Sequence, residues 1–311
     1  MKHTSGIHHI TAIVGHPQEN VDFYAGLLGL RLVKQTVNFD DPGTYHLYFG
    51  NDSAKPGTII TFFPWANARR GRIGGGQVGV TSYAVPTGAL SFWEKRLEKF
   101  NVPFEKTERF GETYLRFEDT HGLQLELVEC EGGELNQWTF GDVTPEVAVK
   151  GFAGAVLYST QPESTVQTLT ETMGLEKVAE EGDYIRLKSS ADIANIVDVK
   201  KTAMPRGAMG VGTVHHIAWR AKDEADHLDW QEHVHNDGYG VMEVKDRNYF
   251  KAIYYREYGD ILFEIASDTP GFEHDESYET LGQDLKLPEQ YEQHRERLTD
   301  GLIPFEVREL D

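Results

Sequence analysis

The sequence predicts an α+β fold in which four β-α-β-β-β modules form two domains. The first observation is self-similarity, because the same order of strand-like and helix-like segments recurs four times along the chain. The second is length, since 311 residues are enough for about two domains. The third is a polar, glycine-containing and poorly periodic stretch at residues 129–150, which separates the second repeat from the third.

The elements of each module follow from the period of its apolar residues. Alternation of apolar and polar side chains predicts strands, and apolar spacings of three and four residues predict helices. In the second module, Leu90, Trp93, Leu97 and Phe100 recur at the helical spacing and are expected on one buried face. The predicted segments are residues 7–14, 17–28 (helix), 30–37, 44–49 and 57–63 in the first module; 78–85 and 123–128, the opening and closing strands of the second; 152–158 and 195–199, those of the third; and 214–220, 225–237 (helix), 240–245, 251–257 and 260–266 in the fourth.

The segments between modules set the expected domain boundaries. We predict a first domain at residues 5–131, a linker at 132–150, a second domain at 151–267 and a tail at 268–311. The glycine-rich residues 68–76 do not follow a strand and open a helix, so they are expected to be a flexible connector and not a phosphate-binding loop. The acidic tail contains an amphipathic segment near residues 288–298, and either covers a cavity mouth or forms a solvated arm.

Charge and composition exclude several classes of protein. With 30 Lys and Arg against 50 Asp and Glu, the formal net charge is −20, which argues against binding to nucleic acid. No apolar run is long enough to span a membrane, and the first residues lack the apolar core of a signal peptide, so a cytoplasmic protein with no membrane partner is expected. The single cysteine, Cys130, rules out an intramolecular disulfide and a cysteine-based zinc cluster.

Two His-His pairs are the first candidates for chemistry. His8 and His9 lie on the opening strand of the first module, and His215 and His216 lie at the equivalent place in the fourth. Because adjacent residues on a regular strand point to opposite faces, only one member of each pair is expected to face a given cavity.

The third candidate is Glu264, which lies in the closing strand of the fourth module between apolar neighbours. A carboxylate in so apolar a strand needs a partner, and that partner is either an arginine or a metal ion. Two histidines with one carboxylate form the facial arrangement that suits non-haem Fe(II), and the same atoms can hold Mn(II), Ni(II) or Zn(II).

The repeats provide an internal comparison for this site. Alignment of the closing strands places Thr61, Glu126 and Asp198 of the first three modules at the position of Glu264. The second and third modules have no histidine on their opening strands, so their carboxylates are expected to be structural. A metal site made from His9, His216 and Glu264 requires the first and last modules to pack side by side.

Several motifs make the chain resemble a known superfamily. The fourfold module, with histidine on opening strands and glutamate on a closing strand, resembles the vicinal oxygen chelate superfamily, which includes glyoxalase I, bleomycin-resistance proteins and extradiol dioxygenases. Within it, the chain is most similar to the ring-cleaving dioxygenases that act on hydroquinones. The segments that carry this resemblance are GIHHITAI, LRLVKQTVNFDDPGTYHLYFG, VHHIAW, DRNYF, YYREYGDILFEIA and PGFEHDE.

The resemblance implies a function and a set of roles. It implies two glyoxalase-like domains with cup-shaped mixed sheets, and an Fe(II) cofactor, with Mn(II) also compatible, held by His9, His216 and Glu264. The substrates would be O2 and a small dihydroxylated aromatic compound, and the chain could form a homo-oligomer. Catalytic roles near the metal are implied for His8, His215, Arg247 and Tyr254.

Structural roles compete with the catalytic ones, and two other functions stay open. Arg247 could be a salt-bridge residue, Tyr254 a strand aromatic, and His8 and His215 core histidines. The first alternative function is a glyoxalase-like isomerase or lyase, for which Thr61 is a poor fourth metal ligand. The second is a metal-free small-molecule binding protein of the bleomycin-resistance kind, in which the two His-His pairs would share no purpose.

Overall fold

Two curved, eight-stranded mixed sheets form the protein in the computed structural model, which describes residues 2–310. The expected α+β fold with cup-shaped sheets is confirmed. One sheet is made by the first and fourth modules, and the other by the second and third. A continuous cluster of buried apolar side chains from all four modules fills the space between the sheets and the helices.

The first two modules follow the predicted order of elements. Pro17 begins the first helix, and Gly29, at φ +67, follows the end of its π-helical last turns. In the second helix, Trp93 and Leu97 are buried as their spacing predicted. The elements are β1 (Ile7–Val14), α1 (Pro17–Val21) with π-helical residues Asp22–Leu27, β2 (Arg31–Val37), β3 (Tyr45–Gly50) and β4 (Ile59–Pro64), then β5 (Gln77–Val85), α2 (Leu90–Lys99), β6 (Phe104–Arg109), β7 (Glu112–Glu118) and β8 (Gln124–Glu129).

The last two modules repeat this order with one exception. The predicted strand at residues 240–245 is wrong, because only Lys245–Asp246 form a strand there, and glycines at 238 and 240 weaken the extended segment that precedes them. The elements are β9 (Gly151–Tyr158), α3 (Pro162–Gln167) with π-helical residues Thr168–Thr172, β10 (Glu176–Glu181), β11 (Tyr184–Lys188) and β12 (Ile196–Lys200), then β13 (Thr213–Ala221), α4 (Glu224–Asn236), β14 (Lys245–Asp246), β15 (Phe250–Arg256) and β16 (Leu262–Pro270).

The opening strands join the modules within each sheet. Strand β1 pairs antiparallel with β13, and each also pairs in parallel with the closing strand of its own module, β4 or β16. Strands β5 and β9 are arranged in the same way in the second sheet. The first and last modules are therefore side by side, as the predicted metal site requires. Each sheet combines one module from residues 5–131 with one from residues 151–267, and the domain boundaries stay predictions.

The glycine-rich connector is more ordered than expected. Residues 70–75 form isolated backbone bridges with residues 206–211, which connect the third and fourth modules. At Gly75 a Cβ atom would lie 2.3 Å from the carbonyl oxygen of Met204, so a side chain there would separate the two backbones. The predicted flexible connector is wrong, since its glycines serve close backbone pairing.

The tail packs along the edge of the first sheet. Its helices are the 3-10 turns Phe272–His274 and Tyr278–Thr280, then α5 (Glu289–Glu292) and α6 (Arg295–Gly301). Leu287, Leu298 and Leu302 bury their side chains against Val37 of β2. The tail thus covers the outer strand of the sheet. Within residues 2–310, no helix is long and apolar enough to cross a membrane.

Candidate metal centre

Three side chains meet on the inner face of the first sheet. His9 lies on β1, His216 on the adjacent β13 and Glu264 on the next strand, β16. The Nε2 atoms of the two histidines are 3.3 Å apart, and Oε2 of Glu264 lies 3.5 Å from that of His9 and 2.7 Å from that of His216. The structure therefore brings together the three residues that the sequence predicts as metal ligands.

Two β-bulges place the neighbouring histidines. In the ladder between β1 and β13, Ile7 pairs with Trp219 and His9 pairs with Ala218. Two residues of β1 therefore stand opposite one residue of β13, and His8 is the extra residue. The reverse shift makes His215 the extra residue of β13. Bulges turn side chains away from regular alternation. The expectation that only one member of a pair faces a given cavity is therefore wrong for His215 and His216, which line the same cavity.

Each bulged histidine contacts the ring of its neighbour. Nδ1 of His8 lies 2.9 Å from Nδ1 of His9, and Nδ1 of His215 lies 2.8 Å from Nδ1 of His216. If His9 and His216 carry their protons on Nδ1 and donate hydrogen bonds to His8 and His215, the Nε2 lone pairs of His9 and His216 are free to bind a metal. The first and fourth modules thus orient His9 and His216 in the same way.

Glu264 is a buried carboxylate with unsatisfied oxygens. Its side chain is 0% exposed, and within the described residues neither carboxylate oxygen has a hydrogen bond of acceptable geometry, despite the short distance to His216. A buried charge without such bonds is costly unless a cation compensates it. Two imidazole nitrogens and a carboxylate oxygen that converge in a buried position fit a divalent metal ion, and this set suits Fe(II), Mn(II) and related ions.

The protonation states also favour metal binding. Burial opposes ionisation of Glu264, yet the adjacent His9 and His216 hold its pKa well below the usual range. Burial lowers the pKa of His216, although Glu264 acts in the opposite direction. Burial and His216 together lower the pKa of His215 to about 3. His8 shifts in the same direction, because burial and then His9 lower its pKa.

A cavity of about 370 Å³ opens above these three residues. Arg247 and Tyr254 form one wall, where Nε of Arg247 donates to the phenol oxygen of Tyr254 at 3.3 Å. Arg247 also pairs at 3.0 Å with Asp40, an exposed residue at the cavity mouth. Burial raises the pKa of Tyr254, and Glu264 adds to the effect, so the phenol keeps its proton. Of the four residues with implied catalytic roles, three line this cavity, and His8 lies behind His9.

A second wall of the cavity comes from the first module and was not predicted from the sequence. His46 and Tyr48 of β3 line the cavity, together with the aromatic rings of Phe63 and Trp65. The internal repeat contains a signal for Tyr48, because Tyr48 pairs with Thr61 in the ladder as Tyr254 pairs with Glu264. His46 has no such counterpart, since Ala252 stands two residues before Tyr254.

The second sheet contains an ion-pair cluster in place of the metal ligands. In the first sheet, Glu264 of the closing strand pairs with Ala218 of the opening strand. The equivalent pairs in the second sheet are Glu126 with Ser82 and Asp198 with Val156, so these two carboxylates occupy the positions that correspond to Glu264. Arg109 bonds both carboxylates, and Arg186 bonds Asp198. The predicted structural role of Glu126 and Asp198 agrees with this geometry, whereas no arginine pairs with Glu264 among the described residues.

Comparisons with known proteins give consistent results. Residues 6–127 match the family model described as the Glyoxalase/Bleomycin resistance protein/Dioxygenase superfamily. The chain is 69% identical over 310 residues to the Bacillus subtilis protein named as ring-cleaving dioxygenase MhqO, covering 100% of this chain and 99% of that one. It is 38% identical over 307 residues to chlorohydroquinone/hydroquinone 1,2-dioxygenase of Sphingobium indicum, covering 94% of each.

Solved structures agree with these sequence matches. A Bacillus subtilis protein described as a dioxygenase has a crystal structure with a TM-score of 0.99, 68% identity and coverage of 100% of both chains. Glyoxalase I from Zea mays has a TM-score of 0.60 at 11% identity, and the match covers 85% of this chain and 92% of that one. The maize enzyme shows that the fold is shared, and nothing further.

Proposed function

Because the chain belongs to the ring-cleaving dioxygenases of the glyoxalase, bleomycin resistance protein and dioxygenase superfamily, we propose that it is an Fe(II)-dependent enzyme that opens the ring of hydroquinone or a related dihydroxylated aromatic compound. The cleavage is of the extradiol type, and both atoms of O2 enter the product. The observation that carries this proposal is the buried set of His9, His216 and Glu264 beneath an aromatic-lined cavity.

The three converging residues hold the metal in this proposal. His9 and His216 supply neutral imidazole nitrogens and Glu264 supplies a carboxylate oxygen, which leaves the side facing the cavity for substrate. Bound Fe(II) supplies the electron transfer that allows O2 to react with an aromatic ring. The chain itself orients the ring and O2 relative to each other and excludes water from the site.

Arg247 and Tyr254 stabilise negative charge on the substrate. A hydroquinone that loses a proton at one hydroxyl carries an anionic oxygen, and the guanidinium of Arg247 with the protonated phenol of Tyr254 provides donors for it on one wall. The ion pair between Arg247 and Asp40 keeps the guanidinium at the mouth of the cavity. Charge-assisted hydrogen bonds of this kind are strongest in a site from which water is excluded.

The bulged histidines position the ligands and move protons. His215 lines the cavity as a neutral imidazole whose Nδ1 accepts from His216, so its Nε2 carries the proton and can donate to a substrate oxygen. His8 is 3% exposed and contacts His9, so its role is to fix the orientation of that ring. His8 is therefore a positioning residue, and His215 is the candidate hydrogen-bond and proton donor to the substrate.

The first module argues against the isomerase alternative. Thr61 stands at the position of Glu264, and its hydroxyl contacts Thr11 at 2.8 Å and His46 at 2.7 Å. A hydroxyl engaged in this way does not provide the fourth protein ligand expected of a glyoxalase-like isomerase. The set of three ligands with an open side favours oxygen chemistry.

Oxygen consumption tests the proposal. Protein reconstituted anaerobically with Fe(II) should consume O2 rapidly when mixed with methylhydroquinone, and His216→Ala should lose this activity together with its iron. His274→Ala, which alters an exposed histidine outside the cavity, is the matched control and should keep both. Absence of uptake with methylhydroquinone and with catechol, in protein that holds one equivalent of iron, would refute the proposed reaction.

The remaining expectations concern partners and location. A small aromatic substrate and O2 are the proposed partners, and Mn(II) is an alternative to iron at the same three residues. A homo-oligomeric state and a cytoplasmic location stay predictions.

A further inference from the structure

The cavity has two walls that occupy equivalent positions but carry different chemistry. Tyr48 of β3 and Tyr254 of β15 each stand across the ladder from the same position of their closing strands, Thr61 and Glu264. Both phenols line the cavity. An aromatic ring bound above the metal ligands therefore lies between two tyrosines related by the internal repeat.

The hydrogen-bond partner of each phenol differs. Tyr254 accepts from the guanidinium of Arg247, so its wall contains a cationic donor, which also pairs with the exposed Asp40. The hydroxyl of Tyr48 lies 2.9 Å from Nδ1 of His46, and Nε2 of His46 lies 2.7 Å from the hydroxyl of Thr61. Burial lowers the pKa of His46 well below its usual value, and His9 and His216 add to that effect, so this imidazole is neutral.

The neutral wall suits an un-ionised hydroxyl. A hydroxyl group both donates and accepts, and a phenol hydrogen-bonded to a neutral imidazole can reverse the direction of its own bond to match. An anionic oxygen binds more favourably beside the guanidinium of Arg247, which lines the same cavity, than beside a neutral imidazole and phenol. The two walls thus distinguish the two ends of a dihydroxylated ring.

We propose that Tyr48, positioned by His46, binds the second, un-ionised hydroxyl of the aromatic substrate and thereby orients the ionised hydroxyl towards Arg247 and the metal ligands. The inference rests on the proposed function, because it concerns the same cavity. It adds a specificity-determining residue, Tyr48, and a positioning residue, His46, in the first module. Phe63, which packs on the ring of His46 at a centroid distance of 4.4 Å, supports that wall from the side.

Binding without turnover tests the inference. Hydroquinone, 4-methoxyphenol and phenol share one phenolic hydroxyl, but only hydroquinone has a second hydroxyl to donate. Titrated anaerobically into the iron-loaded protein and followed by calorimetry, hydroquinone should bind about 10- to 100-fold more tightly than either analogue, a difference of about 1.4–2.8 kcal/mol, because the analogues leave the polar group of Tyr48 unpaired. Phenol controls for the added bulk of the methoxy group.

Two variants remove the neutral wall. Tyr48→Phe deletes only the hydroxyl, and His46→Leu removes the group that holds it. In both, the preference for hydroquinone should fall to about threefold or less, while the affinity for phenol changes little. The matched control is Tyr83→Phe, because Tyr83 is a buried tyrosine of the second sheet whose hydroxyl has no hydrogen-bond partner among the described residues, and it should keep the preference.

Three results would overturn the inference. The first is equal affinity of the unaltered protein for hydroquinone and phenol. The second is an undiminished preference for hydroquinone in Tyr48→Phe. The third is a loss of affinity in Tyr48→Phe that is the same for all three ligands. None of these results depends on O2 uptake, so failure of this inference is distinct from failure of the proposed reaction. Iron content measured in every variant identifies a disturbed metal site.

Discussion

Replacement of Arg109 by leucine should strongly destabilise the protein without touching the metal centre. Nη2 of Arg109 donates to Glu126 at 2.5 Å and Nε donates to Asp198 at 2.6 Å, and both carboxylates are almost completely buried. In Arg109→Leu, Asp198 keeps its bonds from Arg186. Glu126 keeps only the hydroxyl of Ser82.

The size of the effect follows from these contacts. Removal of one partner from a buried ion pair costs about 3–5 kcal/mol, because the other charge stays buried without compensation. We therefore expect the free energy of unfolding of Arg109→Leu to fall by about that amount. Arg308→Leu, which breaks an exposed pair with Asp22, is the matched control and should leave the free energy of unfolding nearly unchanged.

Urea unfolding of the metal-free protein measures this difference, with the slope of the transition compared between variants. The double variant Arg109→Leu with Glu126→Gln removes the uncompensated charge and should recover much of the loss. A loss below about 1 kcal/mol in Arg109→Leu, or a double variant no more stable than the single one, would refute the reasoning.

Three further predictions concern the metal, the tail and pH. In thermal unfolding, Mn(II) at a hundredfold excess over its dissociation constant should stabilise the protein by about 2.7 kcal/mol, and Glu264→Ala should abolish this effect. Leu298→Ala should lower the free energy of unfolding in urea by about 2–3 kcal/mol, because Leu298 is buried against β2. Burial lowers the pKa values of His8, His46 and His215 in the folded protein. Below a pH of about 6.5, these histidines are therefore protonated in the unfolded chain but stay neutral in the folded protein. Urea titrations of the metal-free protein should therefore show that the free energy of unfolding decreases as the pH is lowered, by up to about 1.4 kcal/mol per pH unit for each histidine. A flat profile from pH 6.5 to about 5 would contradict this.

The sequence predicts the three converging residues well because repeats preserve register. His9 and His216 occupy the same position in their modules, and Glu264 lies on the strand next to His216 in both the predicted order and the observed sheet. Because the repeat is regular, the position of a residue within one module predicts the position of its equivalent in another module before the tertiary structure is known. The side-by-side packing of the first and last modules was inferred from the requirements of the ligands, since no local pattern encodes it.

The parts that were missed depend on interactions between strands. A strand taken alone alternates its faces, but the bulges at His8 and His215 arise only where β1 and β13 pair. His46 belongs to a strand whose aromatic residues are as typical of a core as of a cavity, so its place beside the metal ligands had no distinct signal. The connector glycines near Gly75 are used against a backbone more than a hundred residues away.

The pairing of β1 with β13 has a consequence for the order of events during synthesis. His9 lies on β1 and is made before Glu264, which lies on β16, the closing strand of the fourth module. A chain that ends before Glu264 therefore contains at most the two imidazoles of the set and no carboxylate to complete it. The ligand set of the proposed metal site is absent from nascent chains and from chains truncated before β16, so each molecule completes it only after the last module has been made.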